Sequence, residues 1–339
     1  MTKPVSEKPR RLPLLDGLRG MAAIAVVFHH EPGMYGSHGL LPRAYLAVDF
    51  FFMLSGFVLT LAYERRLQSG LRAALFMWQR VARLWPVLAV GVGIGAIGAV
   101  IAGTGAISLA HLALGLVLLP WVRPGHRLYE LNGPQWSLTF ELLANAAHAL
   151  VLQRLGNRAL GGVALVCGAV LVWQGRHWGS LASGDMAHNW WGGFARVGFS
   201  YVVGVLIGRC WQLGRGKREV RWWLAALPLP LILLTAPLWP LSAAWGDSLA
   251  VLVLMPPALW LAAQTELPDR VALWFDRLGQ ISYPIYAIHG PLLLLAADQA
   301  RHLPAPAQFA ARTAALALTF ALAWGLAISP LAKAPRRSS

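Results

Sequence analysis

Two ionisable side chains lie at opposite ends of the first apolar segment, 14–31. Arg19 and His30 are eleven positions apart. Eleven residues make close to three helical turns, so both side chains face the same way, about 16 Å apart along the axis. An imidazole in such a place is a candidate general base. His29 points elsewhere on the helix, and we interpret it as structural.

Asp49 is the only charged residue of the second apolar segment, 44–63. An isolated buried carboxylate is costly, so Asp49 should be either protonated or paired. Pairing with His30 would fix the tautomer of the imidazole and raise its basicity. The alternative is a structural hydrogen bond between two helices.

Arg80 and Arg83 are three positions apart in FMWQRVARLWP. Residues at this spacing share a helix face, and two clustered guanidinium groups can bind a phosphate through forked hydrogen bonds. The alternative is an ordinary positive anchor at the cytoplasmic end of a membrane span.

Glu141 follows Ser137 by four positions in PQWSLTFE, so the two side chains share a face. Glu141 could orient an acceptor hydroxyl, brace a His30–Asp49 pair, or serve the structure alone. Near the other end of the chain, Tyr283, Tyr286 and His289 step by three through an apolar segment. Here a neutral, hydrogen-bonded imidazole is an equally good interpretation.

The composition identifies the elements that must position these groups. Of the 339 residues, 57% are hydrophobic and 13% are charged, about half the charged fraction of a soluble domain. The predicted fold class is therefore all-α, a polytopic membrane helix bundle. Eleven apolar segments are candidate spans: 14–31, 44–63, 78–102, 108–121, 136–153, 159–175, 194–211, 222–239, 246–264, 280–298 and 309–331.

Loop charges set the orientation, because Lys and Arg hold loops in the cytoplasm. Basic stretches at 3–11, 65–72, 215–221 and 333–337 place both termini inside, which eleven crossings cannot do. The segment 108–121 is the shortest, so we predict that it does not cross and that ten spans remain. Arg123 and Arg127 then lie outside and depart from the charge pattern. The predicted divisions are a cytoplasmic tail 1–13, an integral-membrane domain 14–331 and a cytoplasmic tail 332–339.

The net charge of +15 does not indicate nucleic-acid binding, since the basic residues fall mainly in short stretches between apolar segments. The two cysteines, Cys167 and Cys210, form no CxxC pair, so no metal site is predicted.

Five of these motifs, in this order, resemble the acyltransferase 3 family of bacterial membrane acyltransferases. They are LDGLRGMAAIAVVFHH, AVDFFFMLSGFVLT, FMWQRVARLWP, PQWSLTFE and ISYPIYAIH. The resemblance implies ten membrane helices in the bacterial inner membrane, in agreement with the charge argument. It also implies acyl transfer from acyl-CoA, with acetyl the expected group, to a carbohydrate or glycolipid acceptor.

By matching position, the resemblance assigns Arg19 and His30 to the family's first-helix Arg and His, Arg80 and Arg83 to its RxxR pair, and Asp49 to its VDxFF acid. The expected catalytic residues are His30, Asp49 and Glu141, and the expected acyl-CoA-binding residues are Arg19, Arg80 and Arg83. The doubled histidine at 29–30 departs from the family pattern.

A proton-coupled transporter using His30, Asp49 and Glu141 is the main alternative. Transporters commonly contain internal repeats, whereas this chain shows none and concentrates its polar motifs in the first 141 residues. A scaffold without catalytic activity would not explain so many costly intramembrane charges.

Overall fold

The computed structural model describes residues 11–31, 40–103, 109–214 and 220–332, and in these residues the chain is built from α-helices. Each predicted apolar segment overlaps a helical segment. They are α1 Pro13–His29, α2 Ala44–Gln68, α3 Ala73–Ile101, α4 Leu109–Leu116, α5 Trp136–Leu150, α6 Asn157–Trp178, α7 Gly192–Leu213, α8 (the two pieces Trp222–Ala226 and Pro228–Leu238), α9 Ala243–Gln264, α10 Asp269–Ala300 and α11 Ala305–Ile328. The prediction of an all-α membrane bundle is confirmed.

Six of the described helices are long and apolar enough to cross a bilayer: α2, α3, α6, α7, α9 and α11. The exact number of ten crossings stays a prediction. The eight-residue helix α4 rises only about 12 Å, less than half the thickness of a hydrocarbon core. That this segment does not cross stays a prediction, because residues 104–108, directly before it, lie outside the described ones. Most of the two predicted tails and of the basic stretch 215–221 lies outside the described residues.

Two close helix pairs organise the part of the bundle that carries the polar motifs. Helix α1 packs along α10, and α2 packs along α7. Glycines permit the close approach: a Cβ at Gly20 would collide with the carbonyl of Leu278, and one at Gly56 with the carbonyl of Tyr201. The first pair brings the end of α1, with His30, against the middle of α10.

Candidate active site

His30 lies against His289, which projects from α10. Nδ1 of His30 is 3.3 Å from Nε2 of His289, and the ring centroids are 5.0 Å apart. His289 is fully buried, whereas His30 is half-buried. The predicted polar stripe on α10 therefore places the imidazole of His289 in contact with that of His30.

Backbone carbonyls fix which ring nitrogen of each neutral histidine carries the proton. Nδ1 of His30 lies 3.0 Å from the carbonyl oxygen of Val26, and Nδ1 of His289 lies 2.9 Å from that of Tyr286. A carbonyl only accepts, so both rings carry the proton on Nδ1. Nε2 of His289 can then accept from Nδ1–H of His30, and the lone pair of His30 is on its Nε2. This is the tautomer that a general base needs.

A cavity of about 580 Å³ opens beside His30. Charged side chains from three parts of the chain line it: Glu31 after α1, Arg127 and Glu130 before α5, and Arg312 on α11. Glu31 is buried and forms an ion pair with Arg312 at 3.0 Å. The cavity can thus hold a polar substrate next to the imidazole.

Asp49 does not pair with His30, and that prediction is wrong. Its carboxylate accepts two hydrogen bonds from Arg196 of α7, at 3.2 and 2.6 Å, and both side chains are buried. Asp49 and Gly56 are seven positions apart and so share a helix face. Because Gly56 contacts α7, Asp49 points to α7 as well. Of the two expected states, protonated or paired, the structure shows a paired carboxylate, with Arg196 as the partner.

Arg196 also donates to the backbone carbonyls of Tyr45 and Ser183, at 3.0 and 2.9 Å. Its guanidinium lies 5.3 Å from the ring centre of Trp136. Arg196 thereby links α2, α5, α7 and the loop before α7. The Asp49–Arg196 pair holds these elements together without touching the imidazole.

Glu141 binds Arg80 and not a His–Asp pair, which corrects one of the roles considered for it. One carboxylate oxygen accepts from Arg80 at 3.1 Å and from the hydroxyl of Ser55 at 2.8 Å. The side chains of Arg80 and Glu141 are 11% and 18% exposed, so the ion pair is largely withdrawn from solvent. This contact joins α2, α3 and α5.

Arg19 and Arg83 lie towards the N-terminal end of α1, whereas His30 follows its C-terminal end. Arg83 is exposed. It lies close enough to Arg80 and Arg19 for both positive charges to repel its own. Arg19 donates to Ser282 and to the carbonyl of Gly279, each at 2.9 Å, and pairs with Asp16 at 3.2 Å. The structure thus brings the three predicted arginines together, but Arg80 is neutralised by Glu141, and Arg83 is the most exposed residue of the three.

The sequence interpretation did not single out Arg196 or Arg312, each a charge within an apolar segment. The cost of an intramembrane charge is the signal that would have marked both as partners for acidic residues. His289 was considered, but its contact with His30 depends on the packing of α1 against α10.

Comparison with known proteins supports one family. The chain is 36% identical over 169 residues to "Protein 2 in picA locus" of Rhizobium radiobacter, a match covering 44% of this chain and 85% of that protein. No solved structure matches it significantly. The model of the acyltransferase 3 family, described as an acyltransferase domain, matches residues 12–328, nearly the whole chain. The chain therefore belongs to the acyltransferase 3 family and is a membrane acyltransferase.

Proposed function

We propose that the protein transfers an acyl group, with acetyl the expected one, from acyl-CoA to a hydroxyl of a sugar, glycolipid or related glycoconjugate, and that His30 is the general base. The observation that carries this proposal is that Nδ1 of His30 lies against the carbonyl oxygen of Val26, which places the lone pair on Nε2, beside a cavity lined by charged side chains in a member of an acyltransferase family. Asp49 acts in it as a positioning residue, through Arg196.

The proposed donor site is the arginine cluster at the opposite end of α1. Arg83, with Arg19 beside it, binds the phosphates of acyl-CoA through charge-assisted hydrogen bonds. Arg80, supported by Glu141, holds one wall of this site. The eleven residues from Arg19 to His30 separate phosphates and imidazole by about 16 Å, a distance that the extended arm of the donor bridges.

In the reaction, the acceptor hydroxyl oxygen attacks the thioester carbonyl carbon while Nε2 of His30 takes the hydroxyl proton. A C–O bond forms and the carbonyl electron pair moves onto oxygen. When that pair returns, the C–S bond breaks, sulfur keeps the bonding pair, and the imidazolium returns the proton to it. The products are an ester and free coenzyme A. Direct base catalysis of this kind contributes about 10²–10⁴-fold.

We infer an inner-membrane location with both termini in the cytoplasm, in keeping with the loop charges. The donor site then faces the cytoplasm and the His30 cavity faces outward. An acyl group could cross the membrane while coenzyme A stays inside.

The test is an acyl-transfer assay with the purified protein, in which water or glycerol supplies the hydroxyl. The rate is measured as the release of free thiol from acetyl-CoA. His30→Ala should abolish turnover and leave acetyl-CoA binding intact. His29→Ala is the matched control, because Nδ1 of His29 binds the carbonyl of Leu41, 3.2 Å away. It should keep most activity. Full activity in His30→Ala would exclude His30 as the base, and wild-type protein without turnover would count against the whole proposal.

A further inference from the structure

Arg127 lies in the loop before α5 and lines the same cavity as His30. Its charge acts on that imidazole. Throughout the part of the chain that the structure describes, the guanidinium forms neither a hydrogen bond nor an ion pair with another residue. Arg312, which lines the same cavity, differs because Glu31 neutralises it. Arg127 therefore brings to the site a guanidinium without a side-chain partner among the described residues, while the fourth charged group of the cavity, Glu130, lies 2.9 Å from Nδ1 of His126.

The loop backbone fixes the position of Arg127. Arg127 and Met186 form an antiparallel bridge. On either side, the backbone N–H of Leu128 donates to the carbonyl oxygen of Asp185 at 2.9 Å, and that of Ala187 donates to the carbonyl oxygen of His126 at 3.0 Å. Gly133 leaves room for the side chain, since a Cβ there would lie 2.7 Å from Nη1 of Arg127. Nη1 of Arg127, an exposed side chain, thus lies over the start of α5, at the wall of the cavity.

The place of Arg127 beside the cavity gives a reason for its departure from the loop-charge pattern. With both termini inside, Arg127 falls on the outer side, where the loop-charge pattern disfavours Arg. A positive charge beside a base also opposes formation of the imidazolium, unless negative charge develops between the two groups. Acyl transfer produces such a charge, on the carbonyl oxygen of the tetrahedral intermediate.

We propose that Arg127 donates hydrogen bonds to the carbonyl oxygen of the transferred acyl group and stabilises the oxyanion. The proposal rests on the proposed function and adds a catalytic residue to it. The electron pair displaced onto oxygen is held between the Arg127 guanidinium and the His30 imidazolium until the C–S bond breaks. Arg127 itself gives up no proton, because a guanidinium stays charged.

A different role for Arg127 would be to bind an anionic group of the acceptor. The two roles separate when water replaces the acceptor: an oxyanion forms in hydrolysis of the thioester, but no acceptor anion is present. The decisive measurement is therefore acetyl-CoA hydrolysis by the purified full-length protein, together with its affinity for acetyl-CoA.

Arg127→Gln should lower kcat for hydrolysis by about 10²–10³-fold, the effect of removing one oxyanion donor, with acetyl-CoA affinity unchanged. Arg127→Lys should retain part of the rate. Arg123→Gln is the matched control, an exposed arginine of the same loop that does not line the cavity, and should match wild type. Thermal unfolding of all three variants should be unaltered, since Arg127 has no protein partner to lose.

Wild-type hydrolysis by Arg127→Gln would overturn the proposal, and an accompanying rise in KM for a charged acceptor would identify an acceptor anchor. His30→Ala, assayed in parallel, keeps the two proposals distinct. If His30→Ala is inactive while Arg127→Gln is fully active, the oxyanion role alone fails. If His30→Ala is fully active, the general base itself is wrong.

Discussion

Nε2 of His289 lies 3.3 Å from Nδ1 of His30, while Nδ1 of His289 lies 2.9 Å from the carbonyl oxygen of Tyr286. The backbone of α10 thus orients one imidazole, which in turn orients the other. His289 occupies the place that the sequence interpretation gave to Asp49. A neutral partner supports the His30 tautomer without adding a charge of its own.

We expect His289→Ala to lower kcat roughly tenfold, the loss of one net hydrogen bond of about 1–1.5 kcal/mol, with little change in acetyl-CoA affinity. His289→Gln, whose amide can still accept from Nδ1–H, should recover part of the rate. His302→Ala is the control, because His302 is exposed in the loop that follows α10. Equal rates for His289→Ala and wild type would show that Val26 alone orients His30.

Asp49 gives a prediction about stability. Removing one partner of a buried ion pair costs about 3–5 kcal/mol because the other charge is left unpaired. Asp49→Asn should therefore lower the thermal unfolding temperature and the yield of folded protein in detergent. The double variant Asp49→Leu with Arg196→Met should recover much of the stability, since it leaves no buried charge.

The control for Asp49 is Asp298→Asn, which removes a partly exposed ion pair with Arg301 and should change stability by about 0–1 kcal/mol. Normal stability of Asp49→Asn combined with loss of turnover would instead support a direct catalytic role for Asp49.

The sequence predicted the helical segments better than the contacts between them. Apolar length locates α3 or α7 directly, because a bilayer demands about 20 apolar residues. The partner of Asp49 is not encoded in such lengths: it depends on which helix packs against the Gly56 face of α2. The same limit applies to the contact between His30 and His289, which lie 259 positions apart in the chain. The cost of buried charge indicated that Asp49 is protonated or paired, but only packing reveals that Arg196 pairs with Asp49 and Arg80 with Glu141.

Membrane topology can be tested with a membrane-impermeant thiol reagent on intact cells. In a background with Cys167→Ser and Cys210→Ser, Arg123→Cys should react from outside and Arg66→Cys only after the membrane is opened. Both positions are exposed in the structure, so protection reports the membrane side and not burial. Protection of Arg123→Cys in intact cells, with labelling after opening, would mean that the predicted orientation of this loop is wrong.

The arginine pair of α3 should separate into two roles. Arg83→Gln should weaken acetyl-CoA binding by about 1.5–3 kcal/mol, roughly tenfold to a hundredfold in Kd, because it removes a charge-assisted bond to phosphate. Arg80→Gln should instead lower thermal stability, since Glu141 loses the cation at 3.1 Å that neutralises it. Adding Glu141→Gln to Arg80→Gln should restore part of that stability. Arg72→Gln, exposed just before the same helix, is the control for both measurements and should resemble wild type. Wild-type acetyl-CoA affinity in Arg83→Gln would return Arg83 to the role of a membrane anchor.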